Sequence, residues 1–260
     1  MNKRMTAAAL LTAKSERRKL VWLTAYDTIS AELAEASGVD VLLVGDSLGM
    51  VSLGFDTPIP VTLDQMIHHT AAVTRGRKRA WVVCDLPFGT YQQNPQQALA
   101  SSVRVMQEAG CDAVKLEGGE VMAPTIRFLA ERGIAVVAHI GLTPQSVKRF
   151  GGFFKQGQTD ASRAQLLRDA RAVEEAGALA VVLECIPEDL AREITHGLSI
   201  PTVGIGAGPH CDAQVLVWHD LLGLSEKNPP FAPAYANLRE TITRAITQWS
   251  LEVHEGKFPR

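Results

Sequence analysis

The chain has 260 residues, 46% of them apolar, enough to bury a full core in a single barrel-sized domain spanning 1–260. A formal net charge of −2 gives no field for nucleic acid, and the basic cluster Lys14, Arg17, Arg18 and Lys19 is short enough to be a solvated helix face. Cys84, Cys111, Cys185 and Cys211 show no Cys-x-x-Cys spacing, and no apolar run reaches transmembrane length, so a zinc knuckle, a disulfide framework and a membrane span are all unsupported.

From the N-terminus, residues 1–20 carry Lys3, Arg4, Lys14, Glu16 and Arg17 and lack the continuous apolar core of a signal peptide. The expectation is a soluble cytoplasmic protein with reduced thiols and small-molecule partners. Residues 6–18 read as a first helix, followed by strands at 20–25 and 41–45. Residues 49–61, with two prolines, read as an irregular loop. Thr62 with Gln65 fits a capping box, and Asn94 before Pro95 fits an N-cap with a first-turn proline. Strands are expected at 80–85, 113–117 and 134–139, and then a Gly-rich loop at 141–162. A strand at 180–184 leads to a helix opened by Pro187 and closed by Gly197. Strands at 200–204 and 214–218 and an amphipathic helix at 236–253, packing on the barrel or on another subunit, complete the pattern.

The segments Glu35-Ala-Ser-Gly38, Glu108-Ala-Gly110 and Glu175-Ala-Gly177 form a repeat: helix, Gly stop, strand, acid. Eight strands with helical crossovers predict an α/β fold, a (β/α)8 TIM barrel with its N-terminal helix covering the bottom; a doubly wound sheet is the alternative.

Four of the apolar runs end on a carboxylate: Val41-Leu-Leu-Val-Gly-Asp46, Trp81-Val-Val-Cys-Asp85, Ala113-Val-Lys-Leu-Glu117 and Ala180-Val-Val-Leu-Glu184. In parallel α/β folds the ligand sits beyond the carboxyl ends of the strands, so these acids converge on one mouth. Converging carboxylates call for a cation or a proton, and hard oxygens without paired His or Cys suit Mg²⁺. Asp46 taken alone also fits a helix N-cap.

Lys115 shares a strand face with Glu117. It reads as a structural ion pair, as the ammonium that binds a substrate carboxylate, or as a Schiff-base amine; the surrounding acids favour the electrostatic role. His139 ends its strand at the same mouth and fits a structural or a catalytic role equally. Cys84 and Cys185 alternate to the opposite face as small apolar fillers. Gly204-Ile-Gly-Ala-Gly208 lacks the dinucleotide spacing and reads as backbone closing tightly on the site.

At these residues the chain resembles the ketopantoate hydroxymethyltransferase family. The resemblance rests on Leu23-Thr-Ala-Tyr-Asp27, Val44-Gly-Asp-Ser-Leu-Gly-Met50, His69-Thr-Ala-Ala-Val73, Asp85-Leu-Pro-Phe88, Val114-Lys-Leu-Glu-Gly-Gly119, His139-Ile-Gly-Leu-Thr-Pro-Gln-Ser146, Leu183-Glu-Cys185 and Gly204-Ile-Gly-Ala-Gly208. It implies a (β/α)8 barrel that uses Mg²⁺ and passes a hydroxymethyl unit from 5,10-methylenetetrahydrofolate to 3-methyl-2-oxobutanoate. The product, 2-dehydropantoate, leads to pantothenate and coenzyme A. By position the resemblance implies Asp46, Asp85 and Glu117 as metal ligands, Asp46, Ser47, Asp85 and Lys115 as substrate contacts, and Glu184 as the base, with His139 accessory. It also implies a homo-oligomer, commonly a decamer. The loop Gly151-Gly-Phe-Phe-Lys-Gln-Gly-Gln158 departs from the family's Gly-Gly-Tyr-Lys-Val-Gln-Gly-Arg, and Ala213 stands where the family has Gly. Competing readings are a 2-oxo acid C–C lyase of the isocitrate lyase/phosphoenolpyruvate mutase type and a non-catalytic 2-oxo acid binding barrel.

Overall fold

The computed structural model describes residues 4–259; Met1 to Lys3 of the charged N-terminal stretch and Arg260 lie outside the described residues. Helix α1 (Ala7–Ser15) starts at Thr6, whose hydroxyl accepts from Ala9 N–H. Strand β1 (Leu20–Thr24) leads to α2 (Thr28–Ala36), and β2 (Val41–Val44) to the one-turn α3 (Leu48–Val51) and to α4 (Leu63–Gly76). Next come β3 (Trp81–Asp85), α5 (Pro95–Ala109), β4 (Ala113–Glu117) and α6 (Ala123–Ala130). Strand β5 (Val136–Gly141) is followed by the one-turn α7 (Val147–Phe150), α8 (Asp160–Glu175), β6 (Ala180–Glu184) and α9 (Glu188–Gly197). Strands β7 (Thr202–Ile205) and β8 (Ala213–Leu216) complete a closed parallel barrel in the order β1 to β8. The expected (β/α)8 architecture is therefore observed.

The described chain divides into two compact units after Val215. In the first, the strand residues that face inward pack in layers: Leu20, Trp22, Val41, Leu43, Trp81, Val83, Ala113, Val137, Ala180, Val182, Val203 and Ala213 are all buried. Trp22 and Trp81 meet edge to face with ring centroids 6.5 Å apart. Met5, Leu10 and Ala13 belong to the same cluster, so α1 does cover the bottom of the barrel. Lys14 Nζ fixes it there through Asp212 Oδ2 at 2.8 Å.

The repeat read from sequence has a structural basis. Gly38, Gly110 and Gly177 hold φ of 92°, 72° and 94°, the left-handed turn that ends each helix and aims the next strand. Both capping signals are realised, Thr62 with Gln65 at α4 and Asn94 with Pro95 at α5. Pro187 does open α9, but Gly197 is its last helical residue, and its φ lies outside the left-handed region. The two irregular loops are more ordered than expected, since they contain α3 and α7.

The second unit carries α10 (Trp218–Leu221) and α11 (Leu238–His254). Between them Asn228 Nδ2 donates to the carbonyls of Asp220 and Ala232. Helix α11 buries none of its residues, and Ile242, Ile246, Trp249 and Val253 lie exposed at helical spacing. Among the described residues no helix is long and apolar enough to cross a membrane.

Candidate active site

The inward-facing positions change character along each strand. Apolar residues fill the lower layers, and one step further on the same face stand Asp85 on β3, Lys115 and Glu117 on β4, His139 on β5 and Glu184 on β6. Asp85 is in register with Lys115, and Glu117 with His139. Asp46 and Ser47 follow β2 directly. All of these except Ser47 and Glu184 are buried.

Lys115 Nζ lies 3.0 Å from Asp85 Oδ1 and 3.2 Å from His139 Nδ1. An ammonium only donates, so Nδ1 accepts and the neutral imidazole carries its proton on Nε2. That nitrogen lies 3.2 Å from Glu184 Oε2, facing the carboxylate but off the direction of a fully formed bond. A chain of contacts thus runs from Asp85 through Lys115 and His139 to Glu184. Asp85 Oδ2 accepts from the Asp46 backbone N–H, and Tyr26 Oη pairs with Ser47 Oγ at 2.9 Å.

Charge is unbalanced in this cluster. Burial, then repulsion from Asp85, pushes Asp46 up to about 7. Burial and the nearby Asp46 also raise Glu117 well above the carboxylate range. Burial alone would lower Lys115, but Asp85, Glu117 and Asp46 outweigh it and hold it above the ordinary lysine value. Burial, with Lys115 beside it, lowers His139 and keeps it neutral. Several acids therefore face one ammonium, and Asp85 Oδ1 is buried without a directed hydrogen bond. Such a donor set fits a hard divalent cation. Among the described residues no three His, Cys, Asp or Glu side chains form a preformed ligand group. Mg²⁺ characteristically needs only one or two protein carboxylates, completed by water and substrate oxygens, so this arrangement suits it.

These shifts predict how metal-free protein responds to pH. Folded Asp46 keeps its proton up to about 7, whereas the unfolded chain releases it near 3.8, so the folded state binds more protons and loses stability as pH rises through that window. Glu117 acts in the same direction. His139 acts oppositely, but only below its ordinary 6.5. Between about pH 6.5 and about pH 8, Asp46 alone should cost about 1 kcal/mol, a fall in Tm of roughly 2–4 °C. Melting curves in chelator test this, and an unchanged or rising Tm counts against the charge imbalance.

The residues named from sequence do meet at one mouth, but some details differ. His139 does not end its strand, because β5 continues to Gly141; it stands in register with Glu117, and the long Lys115 side chain, rooted two residues earlier on β4, brings its ammonium to Nδ1. Gly141 permits this extension: at φ 95° a Cβ would lie 2.3 Å from Glu184 O. Cys84 is buried and accepts from Thr70 Oγ1, as a filler on the helix side would. Cys185 is not such a filler; it lies past the end of β6, half-buried, with φ 48°. The glycines at 204 and 208 make room for Cys211, Gln214 and Glu188 rather than closing on the acids. Gln145 and Tyr91 were not singled out, yet both are buried and bonded to the site. Gln145 has no ionisable group and burial pushes the Tyr91 phenol well above its ordinary value, so neither stood out as a charge, and the sequence signal was the placement of Gln145 just after a proline in a mouth loop.

A (β/α)8 barrel that gathers acids, a lysine and a histidine beyond the carboxyl ends of its strands is built as an enzyme for a small polar substrate. Known proteins narrow this class. The chain belongs to the ketopantoate hydroxymethyltransferase family, whose profile matches residues 4–260, and it is a transferase. It is 57% identical over 257 residues, 98% of each chain, to the 3-methyl-2-oxobutanoate hydroxymethyltransferase of Synechocystis sp.. The barrel also resembles phosphoenolpyruvate phosphomutase from Streptomyces platensis subsp. rosaceus, with a TM-score of 0.64, 17% identity and coverage of 97% of this chain and 88% of that one. Phosphonopyruvate hydrolase in complex with oxalate and Mg²⁺ gives a TM-score of 0.64 at 15% identity, covering 98% of this chain and 89% of that one. At such identities these two likenesses show the fold alone.

Proposed function

We propose that the chain, acting as one catalytic domain over residues 1–260, transfers a hydroxymethyl unit from 5,10-methylenetetrahydrofolate to 3-methyl-2-oxobutanoate, giving 2-dehydropantoate for pantothenate synthesis. The observation that supports this reading is the division of the mouth in two. Asp46 and Asp85 stand together on one side, and Glu184 stands beyond His139 on the other. Asp46, Asp85 and Glu117 are the acids that would hold Mg²⁺, with water and substrate oxygens completing its shell. When bound, the cation supplies Lewis-acid stabilisation of the enolate charge that develops on the 2-oxo acid.

The chain's own residues do the rest. Lys115, held protonated, binds the substrate carboxylate, and Ser47 with Asp46 and Asp85 fixes its orientation. Glu184 Oε2 takes the C3 proton, leaving C3 to form a C–C bond to the one-carbon unit carried by the folate, while that carbon's bonds to the folate nitrogens break, water supplies the hydroxyl of the product and tetrahydrofolate leaves. His139 presents Nε2–H toward Glu184 and keeps the base aimed. The protein is proposed to work in the cytoplasm as a homo-oligomer, a decamer in keeping with the family resemblance.

Incubating the full chain with 3-methyl-2-oxobutanoate, Mg²⁺ and methylenetetrahydrofolate, and following 2-dehydropantoate by NMR, tests this directly. Folate-independent turnover, or none, would remove the transferase reading. Asp85→Asn is expected to weaken Mg²⁺-dependent binding of the oxo acid by about 10-fold or more, since it removes a charge from a site with few direct carboxylates. Unchanged affinity by calorimetry would show that the ligand assignment is wrong.

A further inference from the structure

Gln145 is 4% exposed and lies in the short turn after β5. Its amide uses its full hydrogen-bonding capacity. Nε2 donates to Asp46 Oδ2 at 2.8 Å and to Leu86 O at 2.9 Å, while Oε1 accepts from Tyr91 Oη at 2.7 Å and from Gln92 Nε2 at 3.0 Å. Its backbone N–H donates to Glu117 Oε2 at 3.0 Å. The orientation of the amide is unambiguous, because a flipped group would set its oxygen against a carboxylate and a carbonyl. Tyr91 Oη in turn accepts from the Glu117 backbone N–H at 3.1 Å. One residue therefore ties together the ends of β2, β3 and β4.

We propose that Gln145 is a positioning residue: it decides which oxygen of Asp46 and which oxygen of Glu117 remain available to a divalent cation and a 2-oxo acid. The proposal rests on the reading above, in which these acids serve that site. With Oδ2 of Asp46 and Oε2 of Glu117 held by Gln145, the remaining oxygens are Oδ1 and Oε1. A neutral amide is suited to this task. A lysine or arginine in its place would neutralise Asp46 and compete with the cation, and a carboxylate would repel it. Partners that orient a ligand in this way typically change metal affinity by about 10–100-fold when removed.

The test uses the metal-free full chain and Mg²⁺ alone, titrated by calorimetry, alongside melting curves in chelator. Gln145→Ala is expected to weaken Mg²⁺ binding by about 10–100-fold. It should also raise the KM for the oxo acid, while C3 exchange at saturating Mg²⁺ and substrate stays within a few-fold of wild type, because Glu184 is untouched. A purely structural role predicts the reverse: a lower melting temperature with Mg²⁺ affinity unchanged, which overturns the proposal. Should Gln145→Ala not fold, Tyr91→Phe carries the test, since it removes the hydroxyl that holds the amide. It is expected to weaken Mg²⁺ binding by several-fold, and wild-type affinity in that variant likewise overturns the proposal. Wild-type protein that takes up no Mg²⁺ overturns both this proposal and the reading beneath it, whereas an unaffected variant of a Mg²⁺-binding protein overturns this proposal alone.

Discussion

Glu184→Gln is expected to lower deuterium exchange at C3 of 3-methyl-2-oxobutanoate by about 10²–10⁴-fold, the usual contribution of a positioned general base. Mg²⁺ and the oxo acid should still bind. The amide preserves the shape of the side chain, and its oxygen can still face His139 Nε2, which lies 3.2 Å from the wild-type carboxylate. The substitution therefore removes the proposed proton acceptor and leaves its surroundings in place. NMR exchange at saturating substrate, paired with calorimetric binding, separates the two effects. Exchange at the wild-type rate would remove Glu184 from the role.

Lys115→Met should have the largest effect on stability. Lys115 is buried and sits 3.0 Å from Asp85, with Glu117 and Asp46 also within its field. Removing one partner of a buried ion pair leaves uncompensated charge and costs about 3–5 kcal/mol. Denaturant unfolding of metal-free protein at about pH 8 should show that loss. Lowering the pH should recover part of it, because the orphaned acids take up protons as an alternative to the ammonium. An unchanged unfolding midpoint would mean that the ammonium does not offset the acids as the geometry indicates.

The barrel was legible in the sequence because its strands are short β-branched runs bounded by glycine and capping residues. Ala113–Glu117 and Ala180–Glu184 coincide with the expected strands. The acids were legible because each closes such a run, and strand periodicity alone placed Lys115 beside Glu117. The partners of those acids were harder to read. Gln145 and Tyr91 come from loops, where no period assigns a side chain to a face, and their roles depend on contacts 26 to 99 residues away in sequence. The place of His139 within its strand, and not at its end, was hidden for a different reason. It depends on Gly141 extending β5 past the imidazole, a backbone accommodation set by the neighbouring strand and not by local preference.

The polar groups of the mouth share a strand face with the apolar layers beneath them. A slip of one residue in the pairing of β3, β4, β5 or β6 would turn Asp85, Lys115, Glu117, His139 or Glu184 out toward the helices. It would also place charged groups where Cys84 and Leu116 now pack in a dry layer. The same pleat that closes the barrel therefore acts as a proofreading device. Misregistered chains lose the core and scatter the candidate site at once, so a stable barrel with a scrambled mouth is disfavoured during folding.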